Sequence, residues 1–150
     1  MGRTEVIRDA TARDSSPMAK LAGQLGYNSS PGEMRKRLSL LQKNPNHAVF
    51  VAQLQAGSVA GWVHVFIRIG VESDSFAEIG GLVVEEARRQ AGIGRLLVKA
   101  SENWARKKGC SSVRVRTNVV RTETHQFYEH MGYVIQKRQT VFQKRLKEKA

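Results

Sequence analysis

The spacing of apolar positions changes period several times along the chain, and each change marks an element. Thr4 to Arg8 alternates weakly, as a first strand would. Ser16-Pro17 reads as an N-cap with proline at the first helical position. Met18, Leu21, Ala22 and Leu25 then recur at helical spacing up to a stop at Gly26. Ser30-Pro31-Gly32-Glu33 has capping-box spacing and opens a second helix. Met34, Leu38 and Leu41 form its apolar stripe, and Asn44-Pro45 ends it.

The period then shortens to two. His47 to Leu54 and Val59 to Ile67 are β-rich runs joined by the short turn Gln55-Ala56-Gly57-Ser58. After a polar loop over 70–75, Phe76 to Val84 reads as a third such strand, interrupted by Gly80-Gly81. A glycine pair inside a strand predicts a bulge or a close backbone approach. Ile93, Leu96, Leu97, Ala100 and Trp104 restore helical spacing as far as Lys107-Lys108-Gly109. Val113 to Thr117 alternates again, with Arg114 and Arg116 on the opposite face. Thr122 caps a short helix carrying Phe127, Tyr128 and Met131, closed by Gly132. Two last strands are expected near 133–136 and 138–146. The order β-α-α-β-β-β-α-β-α-β-β predicts one mixed α/β domain over residues 1–150.

Composition narrows the class. The chain has 150 residues, 41% of them hydrophobic, which supports a folded globule. No apolar run reaches the roughly 18 residues a membrane span requires. The residues after Met1 lack the apolar core of a secretion signal, so a cytoplasmic protein is expected. Cys110 is the single cysteine, which excludes an internal disulfide. His125 and His130 are five apart, wrong for a same-face metal pair, and no metal site is expected.

The net charge of +12 fits a polyanionic cofactor, nucleic acid or an acidic surface. The basic residues are scattered over 3–20, 35–43, 88–121 and 137–149 with no recognition motif. This makes a nucleic-acid-binding or regulatory domain the weaker alternative.

The most informative stretch is Arg88-Arg89-Gln90-Ala91-Gly92-Ile93-Gly94-Arg95, between the third β-run and the helix that follows. A glycine-rich turn feeding a helix N-terminus offers unpartnered N–H groups and the positive end of the helix dipole to phosphate. A P-loop would end in Gly-Lys-Ser/Thr, which is absent. A dinucleotide fingerprint would place a third glycine where Leu97 stands.

Arg89-Gln90-Ala91-Gly92-Ile93-Gly94 instead resembles the acyl-coenzyme A signature of the GNAT superfamily of N-acetyltransferases: Arg or Gln, two residues, Gly, one residue, Gly or Ala. Phe127-Tyr128-Glu129-His130-Met131-Gly132-Tyr133 is similar to the aromatic-Tyr-Glu-x-x-Gly-aromatic motif of the same family. The resemblance implies a six- to seven-stranded mixed sheet, splayed between its fourth and fifth strands, with about four helices. It implies acetyl-CoA as cofactor, with the pyrophosphate on the amides of Arg89, Gln90, Ala91, Gly92, Ile93, Gly94 and Arg95. Leu82, Val83 and Val84 would lie along the pantetheine arm.

The resemblance also assigns chemistry. Acetyl transfer to an amine needs a base for the ammonium proton and an acid for the departing thiolate, and no enzyme nucleophile. Tyr128 matches the family's general acid; the alternative is a packing aromatic beside Phe127, and one ring can serve both roles. Glu78 matches the strand glutamate used as base, often through water. It lies six residues before Val84, on the same strand face unless the bulge shifts the phase; the alternative is a solvent-facing carboxylate. His64 and Glu72 are possible replacements. Arg121 stands where many members have an asparagine on the pantetheine arm, and Asn118 is the nearby amide. Arg88 and Arg95 are expected near the adenosine phosphates, with an exposed-face role the alternative for Arg88.

The acceptor side is expected mainly over 14–75 and the acetyl-CoA side mainly over 78–133. Candidate wall residues include Leu25, Tyr27, Trp62, His64, Phe66 and Phe76, with Glu33, Glu72 and Asp74 as nearby acids. The acceptor is expected to be a small-molecule or peptide amine. The C-terminal strand is a candidate edge for a homodimer.

Overall fold

The computed structural model describes residues 6–89, 91–117 and 122–148, so Gln90, Asn118 and Arg121 lie outside the described residues. The chain divides into two compact units, Met1–Arg116 and Thr117–Ala150.

The first unit is built on one sheet whose strands follow chain order, β1 (Val6–Asp9), β2 (His47–Gln53), β3 (Val59–Arg68), β4 (Phe76–Val84) and β5 (Val113–Val115). The first four form an antiparallel meander, and β5 joins β4 in parallel, which makes the sheet mixed. Helices α1 (Ser15–Gln24) and α2 (Pro31–Gln42) precede β2, and α3 (Ile93–Lys107) is the crossover from β4 to β5.

The register assigns a face to each side chain. Val49, Val51 and Trp62 point to one face, where they pack with Met18 and Ala22 of α1 and Met34 and Leu38 of α2. Gly61, Val63 and Val65 point to the other, under α3. Burying a Val, Leu or Met side chain contributes roughly 1.5–3 kcal/mol, so these two layers hold the sheet. Gly61 sets the approach of α3. A Cβ there would lie 2.9 Å from the Val83 carbonyl oxygen and 3.1 Å from Leu97 Cδ1.

Local signals locate most boundaries. The capping box at α2 forms both bonds, Glu33 N–H donating to Ser30 Oγ (3.1 Å) and Ser30 N–H to Glu33 Oε1 (2.9 Å). Helix α1 starts at Ser15, ahead of the Ser16 cap expected from sequence, because a 3-10 turn over Ala12–Asp14 leads into it. That turn is held by Arg8, whose two terminal nitrogens each donate to the Asp14 carboxylate at 2.9 Å.

The second unit holds α4 (Thr122–His130), which ends as expected before Gly132 at φ +92°. The strands expected near 133–136 and 138–146 are absent, so the sheet has five strands among the described residues rather than six or seven. Apolar residues near the end of a chain can suggest a strand. Such a segment becomes a strand only with a ladder partner, and Val134, Val141 and Phe142 remain 85–91% exposed. The edge proposed for a homodimer is therefore not a strand in this chain.

Candidate active site

The site begins where β4 loses its neighbour. Ladder pairing to β5 joins Ala77 to Val113, Glu78 to Arg114 and Ile79 to Val115, then stops. Beyond Ile79, β4 continues to Val84 with no partner on that side among the described residues. The sheet thus opens from an apex at Ile79, as the expected splay between fourth and fifth strands requires.

The bulge expected from Gly80-Gly81 lies at that apex. His64 pairs with Gly81 and Val65 with Ile79, so Gly80 is the extra residue. Bulging explains only part of the pair. A Cβ at Gly80 would sit 2.9 Å from Phe66 Cε1 and 3.3 Å from His64 Nδ1, and one at Gly81 would sit 3.1 Å from Trp62 Cζ3. Both glycines let β4 lie against a row of β3 rings.

The bulge also shifts the alternation. Glu78 shares its face with Gly81 and Val83, while Leu82 and Val84 point to the α3 face. The shared face expected for Glu78 and Val84 is thereby corrected. Nor is Glu78 a solvent-facing strand carboxylate, being only 5% exposed. Its Oε1 accepts from Arg116 Nε at 3.1 Å and faces Arg68 Nε at 3.8 Å. Arg114, opposite Glu78 in the ladder, stacks 3.8 Å above the Phe76 ring.

Beside this cluster, His47 of β2 and His64 of β3 share a contact, Nδ1 to Nε2 at 2.9 Å, and Phe66 stacks on His47. Burial, with a lesser contribution from the charge of His47, lowers the pKa of His64 to about 4. At neutral pH His64 is therefore uncharged and able to accept a proton or a hydrogen bond. Glu72 sits on the exposed 70–75 loop, away from such burial. Trp62 belongs to the core: it packs with the α1–α2 cluster, and its Nε1 donates to the Met18 carbonyl at 3.2 Å.

At the open end of β4 the chain makes a short 3-10 turn over Glu86–Arg88 and enters α3 through Gly92, at φ +86°. Gln24 at the end of α1 steadies this passage by accepting from Glu86 N–H at 3.1 Å. The expected row of amides from 89 to 95 is shorter than drawn from sequence. Arg89 and Ala91 N–H donate to the carbonyls of Glu86 and Arg88, so the first turn of α3, at Ile93, Gly94 and Arg95, holds the amides that helix geometry leaves unpartnered. Arg89 and Arg95 are exposed beside it, whereas Arg88 pairs with Glu85 at 2.9 Å.

In the second unit, Tyr128 is buried between two rings, with centroids 5.0 Å from Phe127 and 5.5 Å from Tyr133 in edge-on geometry. Packing and a role for its hydroxyl are compatible in that arrangement.

Sequence reasoning missed His47, Arg68 and the arginine pair as site residues. The alternation of β5 already placed Arg114 and Arg116 on one face. Only the β3–β4 register brings Arg68 to the same carboxylate. Among the described residues no group of acidic, histidine or cysteine side chains could hold a metal ion. No helix there is long and apolar enough to cross a membrane.

Known proteins resemble this chain in sequence and in fold. The model of the acetyltransferase (GNAT) family matches residues 16–133. An aminoglycoside N(6')-acetyltransferase type 1 of Serratia marcescens is 27% identical over 124 residues, 79% of this chain and 84% of that protein. An aminoalkylphosphonate N-acetyltransferase of Salmonella typhimurium is 27% identical over 131 residues, 85% of this chain and 83% of that protein. Among solved structures, an aminoglycoside N-acetyltransferase in complex with CoA superposes with a TM-score of 0.85 at 21% identity, covering 97% of both chains.

Proposed function

Since the chain belongs to the acetyltransferase (GNAT) family, we propose that it moves an acetyl group from acetyl-CoA directly to a primary amine of a small molecule or peptide. The observation that carries the reading is the coincidence of two features at one end of β4. An unpaired strand edge from Gly80 to Val84 runs into a helix start that presents free amides.

The residues present fit acetyl-CoA. The first-turn amides of α3 and its dipole favour a pyrophosphate, and Arg89 and Arg95 add full charges beside it. The outer edge of β4 over Leu82, Val83 and Val84, without a ladder partner among the described residues, offers strand-type hydrogen bonds to the amides of a pantetheine arm. Gln90, Asn118 and Arg121, expected from sequence to add contacts, lie outside the described residues. When bound, acetyl-CoA supplies an acetyl group activated as a thioester.

The chain's side chains then have proton work to do. The amine nitrogen forms a C–N bond to the acetyl carbon as the C–S bond breaks. One amine proton leaves, and the sulfur gains one. Glu78, next to the apex, is assigned as the base, through water. His64, kept neutral beside it, is the second acceptor in reach of the same face. Tyr128 is assigned as the acid. Holding the amine against the apex contributes through proximity.

In this reading residues 14–75 mainly supply the acceptor side and 78–133 the donor side of one catalytic domain. Titration calorimetry with acetyl-CoA tests it. Saturable binding is expected, followed by release of free thiol when an amine is added. No binding at millimolar acetyl-CoA would overturn the reading.

A further inference from the structure

The charge at the apex bears on which amine is accepted. Two guanidinium groups, Arg116 and Arg68, converge on one oxygen of Glu78, at 3.1 and 3.8 Å. A third, Arg114, lies across the ladder from Glu78 with its cation over Phe76. Two positive charges therefore bear on a single carboxylate on the face that flanks the apex, with Arg114 over Phe76 on the same strand pair. The carboxylate is buried, with its side chain 7% exposed, while those of Arg68 and Arg116 are 50% and 47% exposed. What solvent, or an acceptor, meets here is the guanidinium layer, with the negative charge beneath it.

The histidine pair and the loop acids nearby add little negative charge to this cluster. His64 is uncharged at neutral pH, being buried next to His47. Glu72 and Asp74, on the adjoining loop, are exposed and make no ion pair among the described residues, so water and salt screen them. Residues 14–75, which form the acceptor side in the reading above, hold six basic against four acidic side chains. One of the four acids, Asp14, is already bound to Arg8. A polycationic amine would be repelled here. An amine that also carries an oxyanion would meet planar N–H donors suited to it.

We propose that the acceptor is a small amine bearing an oxyanion, a carboxylate or phosphonate a few bonds from the nitrogen, received by Arg68 and Arg116 with Arg114 beside them. The inference rests on the acetyltransferase reading and narrows its substrate class. The anion would orient the molecule, placing its amine toward Glu78 and the apex and leaving the arginines outside the bond-making step.

Binding separates this inference from its parent. The full chain, saturated with CoA, is titrated with β-alanine, 2-aminoethylphosphonate, ethanolamine and spermidine. Charge-assisted hydrogen bonds predict that at least one anionic amine binds about 10- to 100-fold more tightly than ethanolamine, with spermidine weakest. The two anionic arms tell carboxylate from phosphonate. Arg68→Gln should reduce the ratio of anionic to neutral affinity by about tenfold, and Arg68→Lys should restore part of it. Circular dichroism establishes that both variants are folded. Equal affinities, a preference for spermidine, no binding of either anionic amine, or a ratio untouched by Arg68→Gln would each overturn the proposal. None of these outcomes bears on acetyl-CoA binding, whose loss would sink the parent reading instead.

Discussion

His47 Nδ1 lies 2.9 Å from His64 Nε2, with the two ring planes 18° apart, so a proton between these nitrogens belongs to one ring or the other. A second positive charge on the pair would sit in a half-buried site beside the first. This arrangement, with burial as the larger cause, lowers the pKa of His64 to about 4.

A stability profile follows from that value. Between about pH 6.5 and pH 4 the unfolded chain protonates this histidine while the native state does not, so stability falls as pH drops through that window and is fully present above it. The ring is partly solvated, which holds the loss to about 1–2 kcal/mol. Urea midpoints measured from pH 7 to pH 4.5 should decline accordingly, and His64→Gln should remove most of this slope. A wild-type profile that stays flat would contradict the assignment.

Glu78→Gln keeps the shape of the side chain and removes its charge. We expect kcat to fall about 100-fold at neutral pH, with the rate recovering as pH rises toward the pKa of the free amine. The pH–rate profile is the deciding measurement. An unaltered profile would assign the base elsewhere, with His64 the next candidate.

Tyr128→Phe leaves the aromatic packing with Phe127 and Tyr133 in place. We expect kcat to drop about 10- to 100-fold while acetyl-CoA affinity holds. Unchanged kcat would leave Tyr128 a packing residue only.

Gly92→Ala forces a side chain into the left-handed region at φ +86°. The strain costs about 1–2 kcal/mol and displaces the first turn of α3. Acetyl-CoA should bind about tenfold more weakly by calorimetry. Gly92→Asn, which tolerates that conformation better, should lose less. Equal affinities for all three proteins would remove the helix start from the cofactor site.

Gly61→Ala tests the packing of α3 and β4 against β3. The new methyl group would meet the Val83 carbonyl oxygen at 2.9 Å, and a backbone atom in a paired strand cannot swing aside. A loss of about 1–3 kcal/mol in denaturant unfolding is expected. A neutral result would mean that the β3–β4 pair yields more readily than its register implies.

Local signals are legible in the chain wherever the cause is local. The capping box Ser30–Glu33, the limits of β4 at Phe76 and Val84, the glycine stops after α1, α3 and α4, and the helix start after Gly92 all depend on residues a few positions apart. The two motifs at 89–94 and 127–133 likewise identify a family and its donor molecule from short stretches, because backbone approach to a phosphate imposes a spacing on glycine.

Tertiary structure decided what depends on pairing. Strands are expected near 133–136 and 138–146, yet those residues have no ladder among the described residues and form none. The phase of Glu78 depended on which residue the bulge expelled, and only the β3–β4 register names Gly80. The same register joins Arg68 to Glu78 and, with β5, brings in Arg114 and Arg116, from positions far apart in the chain. Sequence alone pointed to a thioester donor and to the turn proposed to hold it. The arginine cluster proposed to meet the acceptor was set by cross-strand contacts, because spacing along one strand carries no information about its neighbour's offset.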